Sequence, residues 1–171
     1  AAGASRLLRV GTCGGLQPEL KSGDRIVVTA AVDSTGYGRE TVPQGYPAAA
    51  DPALTMALLR AAERTGAAVQ SGLALTRDNF YRGVEVAPHL NYQTMAQANV
   101  QAVEMECSAL FIVGSLRKVQ TAALLVVDGN VLAAGQETMD SYKPKEQMVT
   151  DGVQRALRIA LDTLTTDDES G

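Results

Sequence analysis

From Thr121 to Val127 the chain reads Thr-Ala-Ala-Leu-Leu-Val-Val, with no charge, glycine or proline to interrupt it. A strand with one wet face alternates apolar and polar residues. An unbroken apolar strand is covered on both faces, and the usual cover is a layer of helices. The neighbouring segments supply such helices. Just before it, Glu106 opens a helical pattern through Leu110, Val113 and Leu116. After it, a closing helix from Pro144 to about Leu164 carries Val149, Val153, Leu157, Leu161 and Leu164 on one face. The chain is therefore expected to be α/β.

The rest of the chain continues the alternation. A short strand is expected over residues 7–11, a turn at Gly23-Asp24, and a buried strand over 25–32 through Ile26, Val27, Val28 and Ala30. Residues 33–50, rich in Gly, Pro, Tyr and Thr, read as one long loop of the kind that covers a site. A helix follows. Asp51 caps it, Pro52 takes the first helical position, Leu54, Leu58, Ala61 and Ala62 form one apolar face, and Gly66 ends it. Next come a strand over 69–76, a loop at Phe80-Tyr81-Arg82-Gly83, a polar helix near 92–98, and a short strand at Ala102-Val103 leading into Glu104-Met105-Glu106. There is no internal repeat. One domain over residues 1–164 is expected, with an acidic, frayed tail over 165–171.

Several classes of function are excluded. No apolar stretch approaches the ~20 residues of a membrane span, and the first residues lack the order of a signal peptide, so a cytoplasmic protein is expected. Cys13 and Cys107 have no His or Cys at ligand spacing, which argues against a disulfide framework and a metal site; Cys107 is expected to be simply buried. A formal charge of −4 and 15 basic residues spread along the chain argue against a nucleic-acid groove. The opening residues, 1–4, run into a strand as the tail of an earlier helix would, so further chain is expected upstream, unless the terminus is engineered or processed.

Chemistry-bearing residues collect near strand exits, where open α/β sheets bind ligands. Arg9-Val10-Gly11-Thr12-Cys13-Gly14-Gly15 reads as an anion site. Glycines permit positive φ and close approach of N–H groups, Arg9 supplies a permanent cation, and Thr12 a hydroxyl. Phe80, Glu104 to Glu106, and Asp128 follow three further strands.

This series, with Gly23-Asp24 between its members and with Val103-Glu104-Met105-Glu106 near its end, resembles the nucleoside phosphorylase family. That family includes uridine phosphorylase, hexameric purine nucleoside phosphorylase and the methylthioadenosine nucleosidases. The resemblance covers nearly the whole chain, roughly the last two thirds of a typical member. It implies a phosphorylase/hydrolase-like fold, with a central mixed twisted sheet flanked by helices, that lacks the family's N-terminal strand and first phosphate loop. It further implies phosphate binding by Arg9, Thr12, Cys13 and Gly14, and nucleoside binding by Phe80, Val103, Glu104, Met105 and Glu106. Catalysis would rest on Glu106 and Asp128.

Glu106 would accept both ribose hydroxyls and favour the positive charge developing on the sugar. Met105 would pack under the ribose, and Phe80 would lie near the ribose and base. Asp128 would donate a proton to a departing purine, although the family's Ser-Asp pair is Val127-Asp128-Gly129-Asn130 here, so the register leaves Asn130 open. Glu104 either braces its strand or pairs with Arg77 or Arg82.

The implied reaction is phosphate-dependent cleavage of a ribonucleoside, purine or uridine, to free base and ribose 1-phosphate. Inorganic phosphate would be the co-substrate, with no metal or organic cofactor. Arg9 favours this over the family's nucleosidase branch, which lacks an arginine there. Val84 and Val86 stand where uridine phosphorylases carry Gln and Arg, which leans towards a purine or a permissive site, with Arg82 or Gln93 as other approaches to the base. Tyr37, Tyr46, His89 and Tyr92 are expected in surface or packing roles. A homo-oligomer, dimer-based or hexameric, is implied by resemblance alone. The alternatives are a nucleosidase and a truncated, non-catalytic nucleoside-binding domain.

Overall fold

The computed structural model describes residues 3–81, 84, 91–132 and 147–166. The apolar run lies in β6 (Gln120–Asn130), where Thr121 to Val127 are all buried. Its alternation divides it between two covers. Ala122, Leu124 and Val126 pack with Leu54, Leu58, Ala61 and Ala62 of α2 (Pro52–Arg64) and with Ala156 and Ile159 of α5 (Gln147–Thr165). Ala123, Leu125 and Val127 pack with Cys107, Phe111 and Ile112 of α4 (Cys107–Arg117). Both faces are dry, which is why no polar residue interrupts the run.

β6 lies parallel to β1 (Arg6–Gly15), from Leu7 beside Thr121 to Cys13 beside Val127. It lies antiparallel to β2 (Arg25–Ser34), with Ile26 beside Leu125. β2 is parallel to β4 (Gln70–Arg77), β4 is parallel to β5 (Val100–Glu104), and β5 meets the end of β1 antiparallel, Val103 beside Gly14. The five strands thus close into a ring, and β3 (Ala48–Ala49) attaches to β2 outside it. The sheet is mixed and helix-flanked as expected. It is not open, however. β1 and β6 run opposite to β2, β4 and β5, so the site residues do not share one row of carboxyl ends.

The expected helix from Asp51 to Gly66 is present with its signals in place. The Asp51 side chain accepts from the Leu54 N–H at 2.8 Å, Pro52 occupies the first turn, and Gly66 has φ +66°. Residues 33–50 are not one long loop. They contain α1 (Gly36–Thr41), capped by the Thr35 hydroxyl, which accepts from Gly38 N–H, as well as β3. The polar helix is α3 (Tyr92–Gln97), which packs beside Leu16, Leu75 and Val100. α5 is described from Gln147 onward, so Pro144 lies outside the described residues, as do residues 167–171 of the acidic tail. No described helix is long and apolar enough to cross a membrane.

The glycine-rich segment is corrected most. Residues 11–15 are not a corner after a strand but the second half of β1. None of Gly11, Gly14 and Gly15 has a positive φ. What they supply is space. A Cβ on Gly14 would stand 2.6 Å from Val131 Cγ1, and one on Gly15 would stand 3.1 Å from Leu20 Cβ.

Candidate active site

Strand alternation sets Arg9, Gly11 and Cys13 on one side of β1, and Val10 and Thr12 on the other. The Arg9 guanidinium lies across Gly11, where an added Cβ would come 2.8 Å from Nη1. It points towards the end of β5. There Nε donates to Glu104 Oε2 at 3.3 Å and Nη2 contacts Glu106 Oε2 at 2.5 Å. A residue near the start of the chain meets two from its middle because β5 runs antiparallel to β1 at this point.

The two carboxylates differ in surroundings. Glu104 is 1 % exposed at its side chain, whereas Glu106 is 60 % exposed. Glu104 is held by four further bonds. Thr76 Oγ1 donates to Oε1 at 2.5 Å, Glu106 N–H to Oε2 at 2.8 Å, and Cys107 N–H to both oxygens at 2.9 and 3.0 Å. These N–H groups open α4, so Glu104 places a negative charge at the positive end of the helix while Arg9 balances it from the other side. Glu106 stands at the N-cap position without a side-chain capping bond, and the helix proper starts at Cys107. Its carboxylate is therefore available to the surface.

Glu104 thus pairs with Arg9. It does not pair with Arg77, which donates to Tyr92 Oη and lies over that ring at 5.5 Å; Arg82 lies outside the described residues. Arg9, expected at the phosphate, and Glu106, expected at the ribose hydroxyls, meet directly.

Asp128 does not end its strand. The register passes from Cys13 beside Val127 to Gly14 beside Gly129, so Asp128 is the extra residue of a β-bulge, a device that re-aims a side chain beside a site. Its charge and that of Glu104 both act on the Cys13 thiol. Burial first, then these two carboxylates, pushes Cys13 well above the ordinary thiol range. Burial first, then Glu104, does the same to Cys107. Both cysteines are buried and stay protonated, so neither offers a thiolate nucleophile.

The remaining expected residues are placed as follows. Met105 and Val103 are half-buried at the end of β5, with Val103 against the cluster around Leu75. Thr12 is exposed on the side of β1 away from Arg9. Phe80 is 49 % exposed and meets Tyr81 edge to face, at 5.3 Å between ring centroids. Val84 is 85 % exposed. Asn130 donates to the Gln17 carbonyl at 2.7 Å and accepts from Leu132 N–H, a loop-tying role. Tyr46 shares a 2.6 Å bond with Ser115 Oγ, and Tyr37 is exposed. Gly83, Val86 and His89 lie outside the described residues. Thr76 was not singled out in the sequence, and a threonine inside an apolar strand carries no signal of its partner.

The comparisons with known proteins agree with one another. The chain is 32% identical to the uridine phosphorylase of Treponema pallidum, with 95% of this chain and 63% of that protein covered. It is also 32% identical to the guanosine phosphorylase of Halorubrum lacusprofundi, with 95% and 66% covered. Its fold matches the crystal structure of purine nucleoside phosphorylase from Toxoplasma gondii in complex with immucillin-H, with a TM-score of 0.84 and 33% identity over 94% of this chain and 63% of that one. The chain thus spans a little under two thirds of the length of these relatives. Residues 1–165 match the family model described as the phosphorylase superfamily, and the chain belongs to that family.

Proposed function

We propose that this chain carries the principal site of a nucleoside phosphorylase, which cleaves the N-glycosidic bond of a ribonucleoside with inorganic phosphate. The carrying observation is the convergence of Arg9 and Glu106, a cation suited to an oxyanion beside an exposed carboxylate suited to two hydroxyls. Substrates would exchange their ion pair for contacts of their own. Phosphate takes the Arg9 fork, and the ribose hydroxyls take the Glu106 carboxylate. Glu106, 60 % exposed, is accessible to that exchange.

The layout along β1 supports the same reading. Cys13, beside the Asp128 bulge, lies four residues beyond Arg9, and roughly 3.3 Å per residue gives about 13 Å, the scale of a phosphate, a pentose and a base in line. Phosphate then sits at Arg9, the pentose at Glu106 over Met105, and the base towards Asp128 and Phe80. As the bond to the base breaks, positive charge on the sugar is stabilised by Glu106, and Asp128 serves as the acid towards a purine leaving group. Phosphate attacks the anomeric carbon and yields ribose 1-phosphate.

Inorganic phosphate is the co-substrate in this reading, with no metal or organic cofactor, and the protein works in the cytoplasm as a homo-oligomer. A purine or a permissive base site is favoured over a uridine-specific one, since Val84 stands where a polar reader of uracil is expected.

Release of base from a purine nucleoside and from uridine, followed with and without phosphate, tests the proposal. Release that requires phosphate is the expected result. Release of equal rate without phosphate would assign a nucleosidase, and tight binding of nucleoside without turnover would assign a binding domain.

A further inference from the structure

Resting on the phosphorylase reading, we propose that Thr76 is a positioning residue, which fixes Arg9 and the first turn of α4 relative to each other by locking the Glu104 carboxylate between them. Thr76 is fully buried on β4, whereas the Glu106 side chain is 60 % exposed. Its hydroxyl has one proton. The Ser108 N–H donates to Oγ1 at 3.0 Å, and the hydroxyl proton goes to Glu104 Oε1 at 2.5 Å, where an ionised carboxylate accepts it. That bond, together with the Cys107 N–H donating to both oxygens, sets the plane of the Glu104 carboxylate. Its Oε2 then receives Arg9 Nε and Glu106 N–H.

The consequence for the site is geometric. A guanidinium is planar, so a bond to Nε orients the whole fork, and here it orients Nη2 towards Glu106. The bond to Glu106 N–H fixes the backbone that carries the other site carboxylate. One buried group thus holds both halves of the site in register, and an error of about 1 Å in such a register is enough to cost on the order of 100-fold in rate. Thr76 also ties the site to a second buried polar group. Ser108 Oγ donates to Asp33 Oδ1 at 2.9 Å, and Asp33 in turn accepts from Thr35 N–H and Oγ1. Removing the Ser108 hydroxyl breaks that branch and leaves the Ser108 N–H to Thr76, so it serves as an internal control.

The test compares Thr76→Val, which keeps the shape and removes the hydroxyl, with Thr76→Ser and with Ser108→Ala, in the full chain. The first readout is the Arg9 Nε–H resonance in ¹⁵N-labelled protein, assigned by its loss in Arg9→Lys, together with its solvent exchange. It should be protected in the unaltered protein, Thr76→Ser and Ser108→Ala. In Thr76→Val it should shift and exchange at least tenfold faster. Exchange in Thr76→Val equal to that of the unaltered protein would overturn the proposal, whether or not the protein turns over nucleosides.

The second readout is phosphorolysis. Thr76→Val should raise the phosphate KM about 10-fold or more and lower kcat, with Thr76→Ser restoring both to within about threefold. Ser108→Ala should lower the melting temperature without that change in KM. Equal kinetic losses in Thr76→Val and Ser108→Ala would make Thr76 merely structural. Absence of phosphate-dependent release from the unaltered protein would instead remove the phosphorylase reading, and the resonance would still decide the role of Thr76.

Discussion

At the residue scale, the site is organised by what surrounds Arg9. Gly11 was readable as a glycine that matters, but for the wrong reason. Its backbone is ordinary strand, and its missing side chain leaves room for the guanidinium. Gly11→Ala should therefore displace the end of a flexible side chain rather than backbone. The expected outcome is a fall in phosphate affinity of about 10-fold, on the scale of one weakened charge-assisted hydrogen bond, with thermal stability little changed. Isothermal titration with phosphate and a melting curve check the two parts. A large loss of stability with affinity intact would contradict the account. Arg9 stood out as a cation beside glycine-rich sequence and Glu106 through the family resemblance of Val103-Glu104-Met105-Glu106, and the structure brings the two side chains together. The role of Glu104 was not legible. Its partners Arg9 and Thr76 lie 95 and 28 residues away, and only the pairing of β5 with β1 and β4 brings them together.

At the element scale, signals confined to a few neighbouring residues were readable, and those that depend on length were not. Asp51, Pro52 and Gly66 mark both ends of α2, and the structure uses all three. α1 has six residues and two glycines, and β3 has two residues, too short for any periodicity to show. The Thr35 cap was the available signal for α1. The bulge at Asp128 was hidden for another reason, since only register against β1 reveals the extra residue. Asp51 also accepts from Gln120 Nε2 at 3.1 Å, which ties α2 to the start of β6. Asp51→Ala should cost about 1–2 kcal/mol in urea unfolding. Asp162→Ala, which breaks the 2.6 Å surface pair with Arg64, should cost less than about 0.5 kcal/mol, because both partners are about half exposed. The reverse ranking would refute this assignment of capping and surface terms.

At the scale of the whole molecule, the apolar run in β6 announced a doubly covered sheet, and the chain folds that way. Ring closure was beyond sequence reading. Contact between β2 and β6 joins residues about a hundred positions apart, and the run of β6 is equally apolar in an open or a closed sheet. Closure has a functional consequence. It sets β1 antiparallel to β5, and so brings a cation from the first ten residues against a carboxylate from the middle of the chain. The central claim is that these two groups serve different parts of one reaction. The most direct measurement is the separation of phosphate affinity from turnover in Arg9→Ala and Glu106→Gln. Arg9→Ala should weaken phosphate about 10- to 100-fold, the loss of one charge-assisted contact. Glu106→Gln frees the guanidinium, so phosphate affinity should hold or tighten while kcat falls on the order of 100-fold, as for the loss of one transition-state electrostatic contact. Equal effects of both variants on both quantities would contradict the account.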